Sequence, residues 1–236
     1  MTRRRWIADE VSGDRAALTG DHARHLGQVL RAKVGQEFDI ATGAEVRAGK
    51  IVSVRPERVE FQLGEVLATS ASPEITVALS VFKFDRMEWA IEKCTELGVA
   101  RMIPVIAGRT EAHLAKAAEK RVERWRRVSK QASEQSRRTS APEVTEPVKF
   151  NRLVAMNAVP RIVLSEVEDI TMLKDVIRHN SRSLLLAFGP EGGWKEDELA
   201  AFREHGWASA SLGGTILRAE TAIIAAVAVA LSCLTS

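Results

Sequence analysis

The hydrophobic rhythm of the chain changes once, near residue 70. Before that point, apolar and β-branched positions come in short alternating runs at residues 5–8, 37–41, 45–54 and 59–66, separated by turn residues. Period-two alternation is what a strand with one buried face requires. One segment, 21–30, instead places Leu26, Val29 and Leu30 on one helical face, with Asp21 as N-cap. The pattern predicts a small β-rich domain, a barrel, over residues 1–70. The small and polar stretch 68–73 predicts a linker.

Beyond the linker, apolar runs alternate with helical periodicity. Strands are predicted at 75–81, 102–106, 161–164, 183–188 and 208–212, and helices at 85–97, 115–137, 170–178, 195–205 and 219–234. Strands separated by helices imply an α/β domain over 74–236, a mainly parallel sheet with helices on both faces. There is no internal repeat and no low-complexity segment.

Two glycine-rich junctions interrupt this alternation. Gly189-Pro190-Glu191-Gly192-Gly193-Trp194 follows one predicted strand, and Leu212-Gly213-Gly214-Thr215-Ile216-Leu217-Arg218 closes another. Each opens a helix. Taken singly, either is an ordinary strand-to-helix turn. Together, at the carboxyl edge of a parallel sheet where ligands bind, and flanked by Glu191, Arg218, Glu220 and Thr221, they favour a ligand site. Neither carries the GK[ST] ending of a P-loop, and the first lacks GxGxxG spacing. No GxSxG elbow is present, and Cys94 falls in a helical stretch where packing explains it.

The net charge, +3, changes this picture little, but its distribution adds to it. Residues 116–138 hold nine basic side chains against three acidic ones. Glu123 with Arg127, Lys130 with Glu134, and Glu134 with Arg138 have i,i+4 spacing, so a solvated helix face is one reading and a phosphate-binding face the other. The longest apolar stretch, 222–231, is too short to span a bilayer, so no membrane partner is expected. No cleavable leader is expected either. Cys94 and Cys233 stand far apart, as suits a reducing cytoplasm, and His22 and His25 lack a third ligand, so no metal is expected.

GPEGG, the last-helix motif Leu212-Gly213-Gly214-Thr215-Ile216-Leu217-Arg218-Ala219-Glu220-Thr221-Ala222, DRMEWAIEKCTELGV after the linker, and EQSRR before a proline occur in that order. In this combination the chain resembles the RsmE-type ribosomal RNA methyltransferases of the SPOUT class. HARHLGQVLRAKVGQEFDI resembles that family's PUA-like RNA-binding domain. Where the family has proline, arginine and threonine, this chain has Gly214, Thr215 and Ala219.

The resemblance implies a trefoil-knotted α/β domain behind a PUA-like β-barrel, working as a homodimer. It implies S-adenosylmethionine-dependent methylation of a uridine N3 in small-subunit ribosomal RNA, free or in a ribosomal particle. Ribose 2′-O-methylation and RNA binding without catalysis are the alternatives. For the cofactor it implies Ser165, Glu166, Phe188, Gly189, Pro190, Gly192, Gly193, Leu212, Gly213, Ile216, Leu217 and Thr221. Arg218 would stabilise charge developing on uracil, and Glu191 would orient the methionine amine or accept a proton. Arg3, Arg4, Arg5, Arg24 and Arg31 would hold RNA phosphates. The final apolar helix suits either a dimer interface or an ordinary core.

Overall fold

The period-two runs before residue 70 become strands. The computed structural model describes residues 5–43, 45–69, 73–136, 138–157, 160–178 and 181–235. In it β1 (Arg5–Ile7), β2 (Glu10–Ser12), β3 (Arg15–Thr19), β4 (Glu37–Ala41), β5 (Glu45–Arg55) and β6 (Arg58–Thr69) form one sheet. Its order is β1-β4-β5-β6-β3-β2. Only the β1–β4 pair is parallel. Register shifts along β5 and β6 add bend to their long hairpin, and the sheet curls into a PUA-like half-barrel. Trp6, Leu18, Leu26, Ile40, Ile51 and Phe61 fill it.

Two local expectations are corrected here. The β2–β3 hairpin was not predicted, although the Gly13-Asp14 turn that sets Ser12 opposite Arg15 is a hairpin signal. Alanines at 16 and 17 weaken the strand pattern behind it. The helix expected at 21–30 begins a residue earlier as α1 (Gly20–Arg24), with extended Thr19 rather than Asp21 at the N-cap position. It then widens into a π-helical turn, His25–Val29, closed by Arg31 at φ 52°.

The α/β alternation also holds. The second sheet runs through β7 (Glu74–Ser80), β8 (Arg101–Ile106), β9 (Glu143–Val144), β10 (Val148–Lys149), β11 (Arg161–Leu164), β12 (Ser183–Phe188) and β13 (Ala208–Ala210). Its order is β10-β8-β7-β12-β11-β13, with β9 also on β8, and every pair is parallel. Helices α2 (Phe84–Glu96), α3 (Ala112–Gln135), α5 (Leu173–Val176) and α7 (Ala219–Thr235) cover one face, and α4 (Phe150–Val154) and α6 (Glu196–Glu204) the other. Side chains alternate accordingly. Leu184, Leu186 and Phe188 of β12 pack in the first core, while Leu185 and Ala187 join Trp194, Phe202 and Trp207 in the second.

The helix predicted at 170–178 shrinks to the single turn of α5. Thr171 and Met172 extend β13 instead: the Ser211 N–H donates to the Thr171 carbonyl at 2.8 Å, and Met172 bridges Ser211. Cys94 lies in the core, where burial pushes its thiol up to about 12, so it offers no thiolate near neutrality.

By contact the chain forms two units, residues 1–71 with 133–141, and residues 72–132 with 142–236. The predicted linker centre, 70–72, lies outside the described residues. In the first unit, His22 explains how the end of α3 is held. Its Nδ1 lies 3.1 Å from Asp9 Oδ2 and its Nε2 2.5 Å from Glu134 Oε1. Hydrogen bonds to Asp9 and then Glu134 outweigh burial and raise its pKa to about 9. Near neutrality His22 is therefore an imidazolium with both nitrogens donating.

Along α3, ion pairs engage Arg121, Arg124 and Arg126 of the basic run. Glu123 pairs with Arg126 at i,i+3 rather than with Arg127, and Arg126 also reaches Glu146. Arg121 and Arg124 both reach Glu88 of α2. These contacts neutralise part of that face.

Candidate cofactor site

β12, β11 and β13 are neighbours, and Leu164 lies opposite both Phe188 and Ala210. The loops that follow them, 165–170, 189–194 and 211–218, therefore leave the carboxyl edge side by side. The structure brings together there most residues expected from the sequence.

The 189–194 loop is held from several directions. The Gly193 N–H donates to the Pro190 carbonyl at 2.8 Å, closing a turn, with Gly193 at φ 69°. A side chain there meets a second obstacle, since its Cβ would stand 2.0 Å from Glu166 Oε1. Glycine is needed for both reasons. The Trp194 indole N–H donates to the Leu164 carbonyl at 3.1 Å, fastening the loop to β11. Phe188 and Pro190 are buried, so they present main chain rather than side chain, whereas Glu191 is exposed.

The loop after β11 is shaped by Glu168. Its carboxylate accepts the backbone N–H groups of Thr171 at 2.9 Å and Ile170 at 3.2 Å, which hold it below the usual carboxylate range. Ser165 is buried and its N–H donates to the Ala210 carbonyl, linking this loop to β13.

The 212–218 loop is different in kind. Ser211 Oγ accepts the Gly213 N–H at 3.2 Å, and Gly213 takes φ 125°. Ile216 is 88% exposed, and Leu212 and Leu217 are half-buried. Arg218 is exposed, with no ion pair among the described residues; its carbonyl accepts the Ala222 N–H at the start of α7. Glu220 faces Arg86 of α2 at 3.9 Å. Thr221 is exposed in the first turn of α7.

Sequence reading missed the turn after β8. Arg109 Nη1 donates to the Gly192 carbonyl, and the Gly108 N–H donates to Glu198 Oε1 of α6 at 2.8 Å. The partners lie 83 and 90 residues apart along the chain, so no local pattern announces them.

Of the residues expected to meet RNA, Arg3 and Arg4 lie outside the described residues. Arg5 is half-buried in β1. Arg24 pairs with Asp21 and with Glu57, and Arg31 is exposed. Arg5, Arg24 and Arg31 belong to the first unit.

A parallel sheet carrying such loops at its carboxyl edge defines an α/β enzyme domain, and comparison gives it a family. Residues 70–231 match the RNA methyltransferase domain family. The chain is 32% identical over 219 residues to the ribosomal RNA small subunit methyltransferase E of Bacillus subtilis, covering 87% of this chain and 85% of that protein. A putative methyltransferase from Legionella pneumophila, solved with bound S-adenosylmethionine, superposes with a TM-score of 0.84 at 26% identity over 98% of each chain. A ribosomal RNA small subunit methyltransferase E from Neisseria gonorrhoeae, bound to S-adenosylmethionine, gives 0.83 at 28% identity over 97% of this chain and 96% of that one. The chain belongs to the RNA methyltransferase family, in its ribosomal small-subunit methyltransferase E group.

Proposed function

We propose that this chain transfers the methyl group of S-adenosylmethionine to N3 of a uridine in small-subunit ribosomal RNA. The observation that carries the reading is the convergence of the 165–170, 189–194 and 211–218 loops on one sheet edge, in a chain of this family. The donor set fits the cofactor. Main-chain groups of Gly189, Gly192, Gly193 and Gly213 suit the adenine edge, while Leu212, Ile216 and Leu217 offer apolar surface to the adenosine. Ser165, Glu166 and Thr221 add polar contacts, and Glu191, at the exposed tip of its loop, orients the methionine amine.

When bound, S-adenosylmethionine supplies a methyl group on positively charged sulfur. The protein aligns that methyl with the attacking nitrogen and excludes water, which supplies much of the acceleration. Uridine N3 must lose its proton for the nitrogen to attack. Arg218, an exposed cation beside the loop, stabilises the negative charge that this loss puts on the uracil carbonyls. The proton is lost to solvent before the nitrogen meets the methyl group, so that water is excluded from the transfer step itself.

The target base must be unpaired or flipped to reach the methyl donor. Arg5 and Arg31, with Arg3 and Arg4 ahead of them, hold phosphates of the RNA. Arg24 contributes less, because Asp21 and Glu57 already neutralise it. The enzyme works as a homodimer in the cytoplasm. Among the described residues no helix is long and apolar enough to cross a membrane.

The test is methylation of small subunits from a strain lacking this activity, followed by nuclease digestion and mass spectrometry. N3-methyluridine at one position is expected. A methylated ribose, or tight RNA binding without product, overturns the assignment.

A further inference from the structure

The turn at 107–110 has no role in the reading above, yet its contacts converge on the loop that reading makes central. In the sheet, β8 is separated from β12 by β7. The turn that leaves β8 nevertheless reaches the loop that leaves β12. Its own hydrogen bonds close it. The Ala107 N–H donates to Thr110 Oγ1, and the Thr110 N–H returns to the Ala107 carbonyl, each at 3.1 Å. These bonds present Gly108 and Arg109 at its tip.

Glu198 ties this turn to the far end of the glycine loop. It is only 5% exposed, and both carboxylate oxygens accept backbone N–H groups, Oε1 from Gly108 at 2.8 Å and Oε2 from Lys195 at 2.9 Å. The second bond caps the start of α6, the carboxylate of its third residue accepting the N–H of the residue before the helix. Lys195 in turn lies over Gly108, where a Cβ would stand 2.8 Å from Lys195 Cε.

Arg109 acts on the loop itself. The Gly192 carbonyl and the Gly193 N–H belong to one peptide unit. A peptide between two glycines turns over at small cost, because neither neighbour has a Cβ to oppose it. Here both poles are engaged, the N–H by the Pro190 carbonyl and the C=O by the Arg109 guanidinium, which leaves the carbonyl's second lone pair for a ligand. The arginine selects one orientation of the plane that is to face the cofactor.

We propose that Arg109 is a positioning residue of the cofactor site, fixing the Gly192–Gly193 peptide in its binding-competent orientation from a turn that Glu198 anchors. The proposal rests on the reading that this loop binds S-adenosylmethionine. Without the guanidinium, part of the population holds the peptide turned over. Apparent affinity falls by the competent fraction.

The experiment is titration of the full-length protein with S-adenosylmethionine, together with steady-state kinetics on small subunits, for wild type, Arg109→Ala and Arg109→Lys. Arg109→Ala should weaken cofactor binding on the order of three- to tenfold, the range set by one net hydrogen bond. The KM for S-adenosylmethionine should rise in parallel, with kcat at saturation changed little. Arg109→Lys, which keeps one charged donor, should recover most of the affinity. Arg109 is exposed, so the thermal midpoints should stay close to that of wild type.

Unchanged affinity in Arg109→Ala overturns the proposal. So does a fall in kcat with affinity intact, which would move Arg109 to the RNA or the reacting atoms. If the wild type itself binds no S-adenosylmethionine, the cofactor reading fails, and it fails visibly apart from the role of Arg109.

Discussion

The two glycine loops look alike in sequence and are held in opposite ways. In the first, a Cβ added at Gly189 would come within 3.2 Å of the backbone at Gly193 and Trp194, and one at Gly193 would strike Glu166. Its turn is closed by backbone, and Trp194 and Arg109 secure it from outside. In the second, Cβ atoms at Gly213 and Gly214 would meet nothing within 4 Å. That loop rests on the Ser211–Gly213 contacts and exposes Ile216 and Arg218. Glycine thus answers crowding in the first loop, joined at Gly193 by conformation, and conformation alone at Gly213 in the second. The first loop is fixed by its surroundings; the second leaves its side chains exposed. Substitutions should separate the two, because crowding penalises the fold of the site while side-chain loss penalises the chemistry.

The largest effect is expected from the exposed loop. Arg218→Ala should leave S-adenosylmethionine affinity near wild type and lower turnover by about a hundredfold or more, the usual cost of removing one electrostatic donor from a developing charge. Single-turnover rates at saturating RNA measure this directly. Near-normal turnover would strip the second loop of its chemical role, and the contrast would reduce to one of packing.

Next comes the crowded loop. Gly193→Val forces a β-branched residue into φ 69° and against Glu166. Backbone strain of this kind costs about 1–3 kcal/mol, before any clash is counted. S-adenosylmethionine affinity should drop by well over tenfold, with circular dichroism unchanged. A folded variant that binds normally would show that this loop does not hold the cofactor.

Both loops were legible in the sequence because glycine and proline punctuate strand ends visibly. The opposite ways of holding them were not. Glu166 over Gly193 lies 27 positions away, and Arg109 and Glu198 meet their partners across 83 and 90 residues. Such contacts arise from parallel topology, which sets side by side the loops of strands far apart in the chain. The fold shows the same division. β11 and β12 match their predicted spans because buried parallel strands are short unbroken apolar runs. The two-residue strands β9 and β10, and the five-residue α4 after them, have too few positions to display any period. The resemblance supplied the family, yet it could not announce the pairing of Arg126 with Glu146, or His22 between Asp9 and Glu134. Those pairings depend on how distant segments pack.

A smaller effect distinguishes strain from crowding within the second loop. Gly213→Ala meets no neighbour, but must hold φ 125°, where residues with a Cβ rarely go. A stability loss of about 1 kcal/mol or somewhat more is expected from urea denaturation. Loss as large as that of Gly193→Val would mean that crowding governs both loops.

The smallest effect belongs to Gly214, one residue further on. Its φ is not among the positive values, and a Cβ would stand in open space, so neither reason for glycine applies. Gly214→Ala removes backbone freedom from the unfolded chain at no cost in the folded one. Stability should be unchanged or raised, by up to about 1 kcal/mol, in the same urea titration. S-adenosylmethionine affinity should also hold, because alanine keeps the main chain of the loop and Gly214 is not among the residues assigned to the cofactor. A clear loss of affinity with stability intact would place the cofactor against the Gly214 Cα itself. The second loop would then be crowded too, by ligand instead of protein, and the contrast between the loops would hold only for the free chain.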